Sequence, residues 1–155
     1  MKPTLHLMVG LPGSGKTTRA KELEQECGAL RLTPDEWHLQ LFGNDFPGPD
    51  HDDRHNRVEW LMWCTARRAL ELGVSVILDF GFWGREERDG LREQARLLGA
   101  DFRIHYMDVP LEELLRRVER RNAQATPENG VFSIPQEWMI EWAGMFQPPA
   151  EEELR

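Results

Sequence analysis

The segment "GLPGSGKT", residues 10–17, constrains the fold of this chain more than any other stretch. It follows "TLHLMVG", an apolar run typical of a buried strand, and it leads into "KTTRAKELEQECG", which favours a helix. Gly10 and Gly15 allow the backbone to turn so that successive N–H groups face one anion. A strand, a glycine-rich turn and a helix in this order predict a phosphate-binding loop.

The side chains of this loop indicate which ligand it holds. The segment fits G-x-x-x-x-G-K-[ST], in which Lys16 contacts the β- and γ-phosphates and the Thr17 hydroxyl completes a Mg²⁺ shell. We therefore expect ATP and Mg²⁺ as cofactors, and the lack of an N-K-x-D motif disfavours a GTPase switch. The predicted nucleotide-binding residues of the loop are Gly10, Pro12, Gly13, Ser14, Gly15, Lys16, Thr17 and Thr18.

The order of the remaining elements predicts an α/β fold. Further strands are expected at "ALRL", "VSVILDF" and "DFRIHYMDV", and helical patterns separate them. Strands that alternate with helices form a mostly parallel sheet with helices on both faces. We therefore predict a single domain over residues 1–155, folded as a three-layer α/β/α sandwich with a short lid.

Two polar stretches interrupt this pattern and are expected to be loops. "GNDFPGPDHDDRHN", residues 43–56, is predicted to recognise the acceptor, and a long helix is expected to follow at about 57–72. Its "DHDDRH" segment resembles a metal cluster, but it lacks a second ligand pair at helical or hairpin spacing. "AQATPENGVFSI" is predicted to be a flexible insert within a lid at about 117–134, and the closing "PPAEEELR" a solvated terminus.

Asp79 ends the third predicted strand, in "VILDF", and is a candidate Mg²⁺ ligand. Ligands of parallel sheets gather at the carboxyl ends of the strands, where a carboxylate holds Mg²⁺ directly or through water. The alternative is an aspartate that caps the following turn. Together, Thr17 and Asp79 form the predicted metal site.

The segment "RLTPDEWHLQ" is compatible with two roles for Asp35. Thr33 as N-cap, Pro34 at the first helical position and Glu36 three residues after the cap make a capping box. Acidic side chains there also complement the positive end of the helix dipole, so the pattern by itself favours a structural role. The position lies at the carboxyl edge of the second strand, however, where a carboxylate is also able to face a substrate.

Four arginines are candidates to contact anions. In "PLEELLRRVERRN", with about 100° between successive residues, Arg117 and Arg121 flank the apolar face and are placed to neutralise charge on a transferring phosphoryl group. A solvated basic face paired with neighbouring glutamates is the alternative. Arg85 and Arg88 begin the helix after the third strand, where cations oppose the helix dipole, and this favours an anionic contact.

Composition limits the class of partner and the compartment. Nineteen basic residues against 27 acidic ones give a net charge of −8, which disfavours a nucleic-acid partner because binding phosphate backbones needs a positive field. The longest apolar runs are strand-sized, so no membrane span is expected. Cys27 and Cys64 lack metal-type spacing and are predicted to be buried thiols of a cytoplasmic protein.

Five segments taken in order resemble a family of compact P-loop kinases. They are "GLPGSGKTT", "LRLTPDEW", "VILDFGFWGREERDGLREQARLLGA", "VPLEELLRRVERRN" and "FQPPAEEE". This AAA_33-type family is related to zeta toxins, chloramphenicol phosphotransferase and the kinase domain of phage polynucleotide kinase. The similarity spans nearly the whole chain and implies a P-loop NTPase fold.

The resemblance also implies roles for individual residues. The acidic residue that activates the acceptor hydroxyl in this family falls on Asp35, the lid arginines fall on Arg117 and Arg121, and Arg88 falls near the acceptor pocket. Polynucleotide kinases have an arginine where this chain has His38, which weakens a nucleic-acid substrate. The predicted substrate contacts are Asp35, His38, Arg85 and Arg88.

These features predict a cytoplasmic, Mg²⁺-dependent phosphotransferase that moves the γ-phosphate of ATP to a hydroxyl of a small-molecule acceptor. The expected catalytic residues are Lys16, Asp35, Arg117 and Arg121. One alternative is a polynucleotide or nucleoside 5′-hydroxyl kinase, and another is a nucleotide-binding ATPase or regulatory module without a dedicated acceptor. A toxin of the zeta kind would have an antitoxin partner, which a single sequence does not identify.

Overall fold

The computed structural model describes residues 2–125 and 132–155. Its four strands, β1 (Thr4–Val9), β2 (Leu30–Leu32), β3 (Val76–Gly81) and β4 (Asp101–Tyr106), form one sheet in the order β2-β3-β1-β4, with parallel pairing throughout. The helices are α1 (Lys16–Cys27), α2 (Pro34–Phe42), α3 (His51–Glu71), α4 (Arg85–Leu97), α5 (Leu111–Gln124) and α6 (Gln136–Met145). A 3₁₀ turn follows at Glu151–Leu154.

Strand β1 lies inside the sheet and fixes the position of the glycine-rich loop. It pairs with β3 on one side, with Leu7 opposite Leu78, and with β4 on the other, with Leu7 opposite Ile104. After β1 the chain forms β2 and β3 on one side of it, and β4 then lies on its other side. The order of strands therefore reverses at β1. Ligands of open parallel sheets bind where the strand order reverses, and residues 10–17 occupy that point.

Alternate side chains of β1 point to different layers of helices. Leu5 and Leu7 are fully buried in a core that includes residues of α3 and α4. Met8, on the opposite face, packs in a second core with Ala20 and Leu23 of α1. Because both faces of the sheet are covered, the two inner strands, β1 and β3, are almost entirely buried. The predicted three-layer α/β/α sandwich is therefore confirmed.

A third core joins α5 and α6 to the glycine-rich loop. It contains Leu11 of the loop, Leu114 and Val118 of α5, and Met139 of α6. The approach is close, because a Cβ atom added at Gly13 would lie 3.1 Å from Val118 Cγ2, and Gly13 also has a φ of 84°. Glycine at this position therefore lets the part of α5 that contains Leu114, Arg117 and Val118 lie against the loop.

The helix expected at about 57–72 begins earlier than predicted, at His51. The acidic residues Asp52 and Asp53 fall in its first turn, where they complement the positive end of the helix dipole. Two turns of helix thus replace part of the loop predicted over residues 43–56. The central part of the predicted lid, residues 126–131, lies outside the described residues.

The predicted buried thiols are also wrong, because Cys27 and Cys64 both lie on exposed helix surfaces. Cys27 is the last residue of α1, and Cys64 lies on the face of α3 that points away from the sheet. In the part of the chain that the structure describes, no helix combines the length and apolarity needed to cross a bilayer.

The acidic tail, predicted to be solvated, instead docks on the protein through Glu153. Arg88 and Glu153 are 1% and 2% exposed and form an ion pair, with Arg88 Nε 2.9 Å from Glu153 Oε1. Arg88 also donates to the Phe82 carbonyl at 2.9 Å, and the Ala150 N–H donates to Glu153 Oε2 at 2.7 Å. Because the polar atoms on both sides are satisfied, this buried ion pair attaches the chain terminus to α4.

Removing one partner of this ion pair should destabilise the protein. Glu153→Gln leaves a buried guanidinium without its counter-ion, so we expect the free energy of unfolding in urea to fall by about 3 kcal/mol. The exposed neighbour Glu152→Gln is the control and should change it by less than about 0.5 kcal/mol. Equal stabilities for the two variants would show that the tail contributes nothing to the fold.

Candidate active site

The glycine-rich loop forms a closed turn in front of α1. The Gly10 N–H donates to the Gly81 carbonyl at 3.0 Å, and the Ser14 N–H donates to the Leu11 carbonyl at 3.2 Å. Gly15 is the N-cap of α1 with a left-handed φ of 91°, a conformation that side chains rarely adopt. The free N–H groups at the start of α1 and the positive end of its dipole favour an anion at this point.

Lys16 supplies the fixed positive charge of the loop. Its Nζ donates to the Leu11 carbonyl at 3.4 Å, a long hydrogen bond. Burial lowers the pKa of Lys16, and the nearby carboxylates Asp79 and Asp35 offset this only in part. An ammonium group that is held in the protein with weak partners binds an anionic ligand favourably, because the ligand restores the interactions lost on leaving water.

Thr17 and Asp79, the predicted metal ligands, are in direct contact. Thr17 Oγ1 donates to Asp79 Oδ2 at 2.7 Å, and Thr33 Oγ1 donates to the same oxygen at 3.0 Å. Burial raises the pKa of Asp79, and Lys16 and the two hydroxyls lower it only in part. Among the described residues, the buried Asp79 Oδ1 and Ser14 Oγ have no hydrogen-bond partner. Such unsatisfied oxygens suit a Mg²⁺ ion with a phosphate beside it.

One cavity of about 950 Å³ joins this loop to the start of α2. Its nucleotide end contains the loop, and its opposite end contains Asp35 and side chains of α3 and α4. The predicted site residues that line it are Pro12, Gly13, Gly15, Lys16, Thr17, Thr18, Asp35, Asp79, Arg117 and Arg121. A cavity of this size is large enough for a nucleotide and a small second substrate.

Asp35 lines the cavity, and its neighbours Thr33 and Glu36 make contacts other than those of the predicted capping box. Thr33 is the N-cap of α2, but its side chain makes no capping hydrogen bond. Its hydroxyl instead donates to Asp79 and accepts from Arg31 Nη1 at 2.6 Å. Glu36 pairs with Arg31 at 2.9 Å. The capping-box prediction is therefore wrong, because tertiary partners take both side chains.

Two arginines of α5 lie at the nucleotide end of the cavity. Arg117 Nη1 donates to the Gly13 carbonyl at 3.2 Å, and Arg117 Nε donates to Glu113 at 3.1 Å. Arg121 lines the same end, where its charge contributes to the lowered pKa of Lys16. Arg116 instead contacts Glu113 on the exposed side of the helix. The structure thus brings together the positive charges that a polyphosphate requires.

The structure places three predicted substrate contacts away from the cavity. Arg88 is buried against Glu153, and Arg85 bonds Asp89 at 3.1 Å and Glu152 at 3.3 Å. The anions that these arginines require are therefore supplied by the protein itself, mainly by its C-terminal segment. His38 lies on the buried face of α2, is fully buried and bonds Asp45 Oδ1 at 2.7 Å.

The opposite end of the cavity contains three carboxylates that were not among the predicted site residues, although one of them, Asp52, lies in the segment 43–56 predicted to recognise the acceptor. They come from α3 and α4 and are Asp52, Glu59 and Glu87. Burial, reinforced by Glu87 and Asp35, raises the pKa of Glu59 to about 8. Residues 52, 55, 56 and 59 follow the i, i+3, i+4, i+7 spacing of one helix face. That signal was hidden because the helix was predicted to begin at residue 57.

A histidine cluster adjoins this end of the cavity. Asp45 Oδ1 bonds both His38 Nε2 at 2.7 Å and His51 Nδ1 at 2.6 Å, and Arg54 Nη1 donates to Asp45 Oδ2 at 3.2 Å. Burial raises the pKa of Asp45, but the hydrogen bonds from His51, His38 and Arg54 outweigh it and lower the pKa to about 2. The guanidinium already neutralises this carboxylate, so the cluster is a hydrogen-bonded network rather than a site shaped for a cation.

Comparison with known proteins gives two relatives that are both named as kinases. A Schizosaccharomyces pombe protein named "Probable gluconokinase" is 29% identical over 123 residues, which are 74% of this chain and 62% of that protein. An Aeropyrum pernix protein named "Probable adenylyl-sulfate kinase" is 29% identical over 114 residues, which are 71% of this chain and 61% of that protein. This chain therefore spans about three fifths of the length of these relatives.

Solved structures share the fold of this chain, and a family model identifies its family. A chain of the Pnkp1/Rnl/Hen1 RNA repair complex superposes with a TM-score of 0.72 at 24% identity, over 93% of this chain and 44% of that one. Chaetomium thermophilum Kti12 in complex with ADP-AlF3 gives 0.72 at 18% identity, over 96% and 82%. At these identities the likeness concerns the fold. The AAA_33 model, described as an AAA domain, matches residues 5–138, and the chain therefore belongs to the AAA_33 family of P-loop proteins.

Proposed function

We propose that this protein is a P-loop phosphotransferase that moves the γ-phosphate of ATP to a hydroxyl of a small acceptor, with Mg²⁺ as cofactor. The observation that carries the proposal is one continuous cavity with Lys16 and the phosphate-binding loop at one end and the Asp35 carboxylate at the other. The curated relatives named above, both named as kinases, support the same reaction class.

The nucleotide end has a donor set that fits a triphosphate. The first turn of α1 presents its N–H groups, Lys16 contributes a point charge, and Arg117 and Arg121 line the same end. The residues that would hold Mg²⁺ are Thr17, through its hydroxyl, and Asp79, directly or through water. The ion would neutralise charge on the phosphates during transfer.

Asp35 is the group proposed to take the acceptor proton. Phosphoryl transfer passes through a loose transition state, so the hydroxyl is deprotonated late and its base does not need to be strong. The acceptor oxygen bonds phosphorus as the bond from phosphorus to the leaving ADP oxygen breaks, and the hydroxyl proton moves to an Asp35 oxygen. The role of this chain is to hold the two reactants and the base in line.

The charge at the acceptor end supports an acceptor that is not an anion. Asp35 and Asp52 line this end, and burial there raises the pKa of both Glu59 and Glu87, so further negative charge is unfavourable at this end. Arg85 and Arg88, which would have served an anionic acceptor, are paired within the protein. A phosphate backbone would approach a negative surface, so a neutral or positively charged small hydroxyl compound is favoured over a polynucleotide.

A screen of acceptors tests the proposal directly. Protein, Mg²⁺ and ATP with a labelled γ-phosphate are incubated with neutral polyols, amino alcohols, carboxylated sugars or a 5′-hydroxyl oligonucleotide, and Lys16→Ala is the blank. We expect label on a neutral or aminated acceptor. Label on the oligonucleotide would favour the polynucleotide kinase, and label only in inorganic phosphate would favour an ATPase without a dedicated acceptor.

Replacement of Asp35 by asparagine should separate chemistry from nucleotide binding. Asp35→Asn keeps the shape of the side chain and removes the proton acceptor, so kcat is expected to fall at least about 100-fold, while the affinity for ATP changes less than about threefold. Steady-state kinetics and calorimetric ATP titration measure the two effects. The exposed Asp53→Asn on α3 is the matched control. A kcat like that of the control would remove Asp35 from the mechanism.

Glu59 should make stability depend on pH in an unusual direction. Its pKa is raised from 4.5 to about 8, so the folded protein keeps a proton that the unfolded chain releases between these values. The stability of the wild type therefore falls as pH rises through this window. Glu59→Gln should be more stable, with a gain that grows to on the order of 2 kcal/mol near pH 8.

Urea unfolding of Glu59→Gln at several pH values between about 5 and 8 measures this gain. The control is Glu119→Gln, an exposed carboxylate on α5, whose stability difference from the wild type should stay flat. A difference that is equally flat for Glu59→Gln would mean that Glu59 ionises as it does in water.

A further inference from the structure

The histidine cluster connects a buried aspartate to the proposed base. His38 of α2 is fully buried, and both of its ring nitrogens are engaged. Its Nε2 bonds Asp45 Oδ1 at 2.7 Å, and its Nδ1 lies 3.2 Å from Nδ1 of His55 on α3. His55 lines the cavity, and its second nitrogen, Nε2, lies 3.8 Å from Asp35 Oδ1.

The hydrogen-bond donors along this chain follow from its buried end. Asp45 is a carboxylate and only accepts, so His38 Nε2 carries a hydrogen that it donates to Asp45. In the form of the cluster in which His38 is neutral, its Nδ1 has a lone pair, and the hydrogen of the 3.2 Å contact belongs to His55 Nδ1. Neutral His55 is therefore left with a lone pair at Nε2, the atom that faces Asp35.

The gap between Asp35 and His55 agrees with this assignment. A carboxylate oxygen and a bare ring nitrogen both accept hydrogen bonds, and they stand 3.8 Å apart, beyond hydrogen-bond distance. Glu59 Oε2, another acceptor when ionised, lies 4.0 Å from the same nitrogen. Asp35 Oδ1 and His55 Nε2 therefore have no hydrogen to share in this form, and a proton added to either atom would let the two side chains close to hydrogen-bond distance.

We propose that His55 is a positioning residue for Asp35, held by His38 and Asp45 so that its bare Nε2 receives the proton that Asp35 takes from the acceptor hydroxyl. This inference rests on the proposed function. In the step, the acceptor O–H bond breaks as its oxygen bonds phosphorus, and the proton binds Asp35 and is then shared with or passed to Nε2. The imidazolium so formed keeps its Nδ1–H bond to His38, and the negative Asp35 compensates its charge.

The groups that face His55 come from both helices packed around it. Asp35 and His38 approach from α2, and His51, Asp52 and Glu59 approach from α3. Burial lowers the pKa of His55, and Asp35 raises it only in part. His55 is therefore neutral near pH 7 and able to accept a proton, which agrees with the hydrogen-bond geometry.

Nitrogen NMR of the free, ¹⁵N-histidine-labelled protein tests the assignment without any enzyme assay. At a pH slightly above neutrality we expect His55 to carry its hydrogen on Nδ1 and not on Nε2, with His55→Asn assigning its signals. Asp35→Asn should lower the pKa of His55, because the negative charge beside it is removed. A hydrogen on Nε2 under these conditions would overturn the inference.

Kinetics on an acceptor found in the screen test the role itself. His55→Asn keeps a donor near the Nδ1 position but has no group at Nε2, so kcat should fall about 10- to 100-fold. The KM for ATP should change little. The fall in kcat at low pH that results from protonation of His55 should disappear. The control is His105→Asn, which disrupts a histidine pair with His6 on the sheet, at 2.9 Å.

The possible outcomes distinguish the two proposals. Unchanged kcat and pH dependence in His55→Asn, with an active wild type, would overturn the role of His55 and leave the proposed function intact. A wild type that phosphorylates no acceptor would overturn both. A purely structural role would lower the melting temperature and leave the shape of the pH profile unchanged, so that result also counts against the inference.

Discussion

The carboxylate of Asp79 is the contact on which the rest of this site depends. One of its oxygens accepts hydrogen bonds from the hydroxyl groups of Thr17, at the start of α1, and Thr33, just before α2. It thereby joins the carboxyl edge of β3 to the two segments that supply Lys16 and Asp35. Because Asp79 is buried and its second oxygen has no partner among the described residues, the junction also has one coordination position left for an ion.

The cavity is divided electrically, and this division limits what it is able to bind. Positive side chains from α1 and α5 surround the nucleotide end, whereas carboxylates from α2, α3 and α4 surround the acceptor end. The proposed reaction would place the negative phosphates at the first end and an acceptor without negative charge at the second. The raised pKa of Glu59, about 8, reflects the cost of crowding carboxylates in a partly dry cavity.

The parts of the fold and site that sequence predicts are those encoded locally. The strand, turn and helix around Lys16 follow from apolar runs and glycines within a short stretch, and the parallel sheet follows from the alternation of strands and helices. The partner of Arg88 did not follow, because Glu153 lies 65 positions away in a segment with the composition of a solvated tail. Glu59 was missed for another reason: an aspartate-rich helix start was taken for a loop, so His55 was predicted only as part of a loop that recognises the acceptor.

The docked C-terminal segment affects the order in which the cavity forms. The Gln147 N–H donates to the Trp83 carbonyl at 2.8 Å, and Arg88 links Glu153 to the carbonyl of Phe82. Phe82 and Trp83 line the cavity, so residues 147–153 support that side of it. During synthesis on the ribosome, the sheet and the phosphate-binding loop emerge before these residues. The nascent chain therefore forms the phosphate-binding loop first, and the side of the cavity that contains Phe82 and Trp83 gains this support only after residue 153 has left the ribosome.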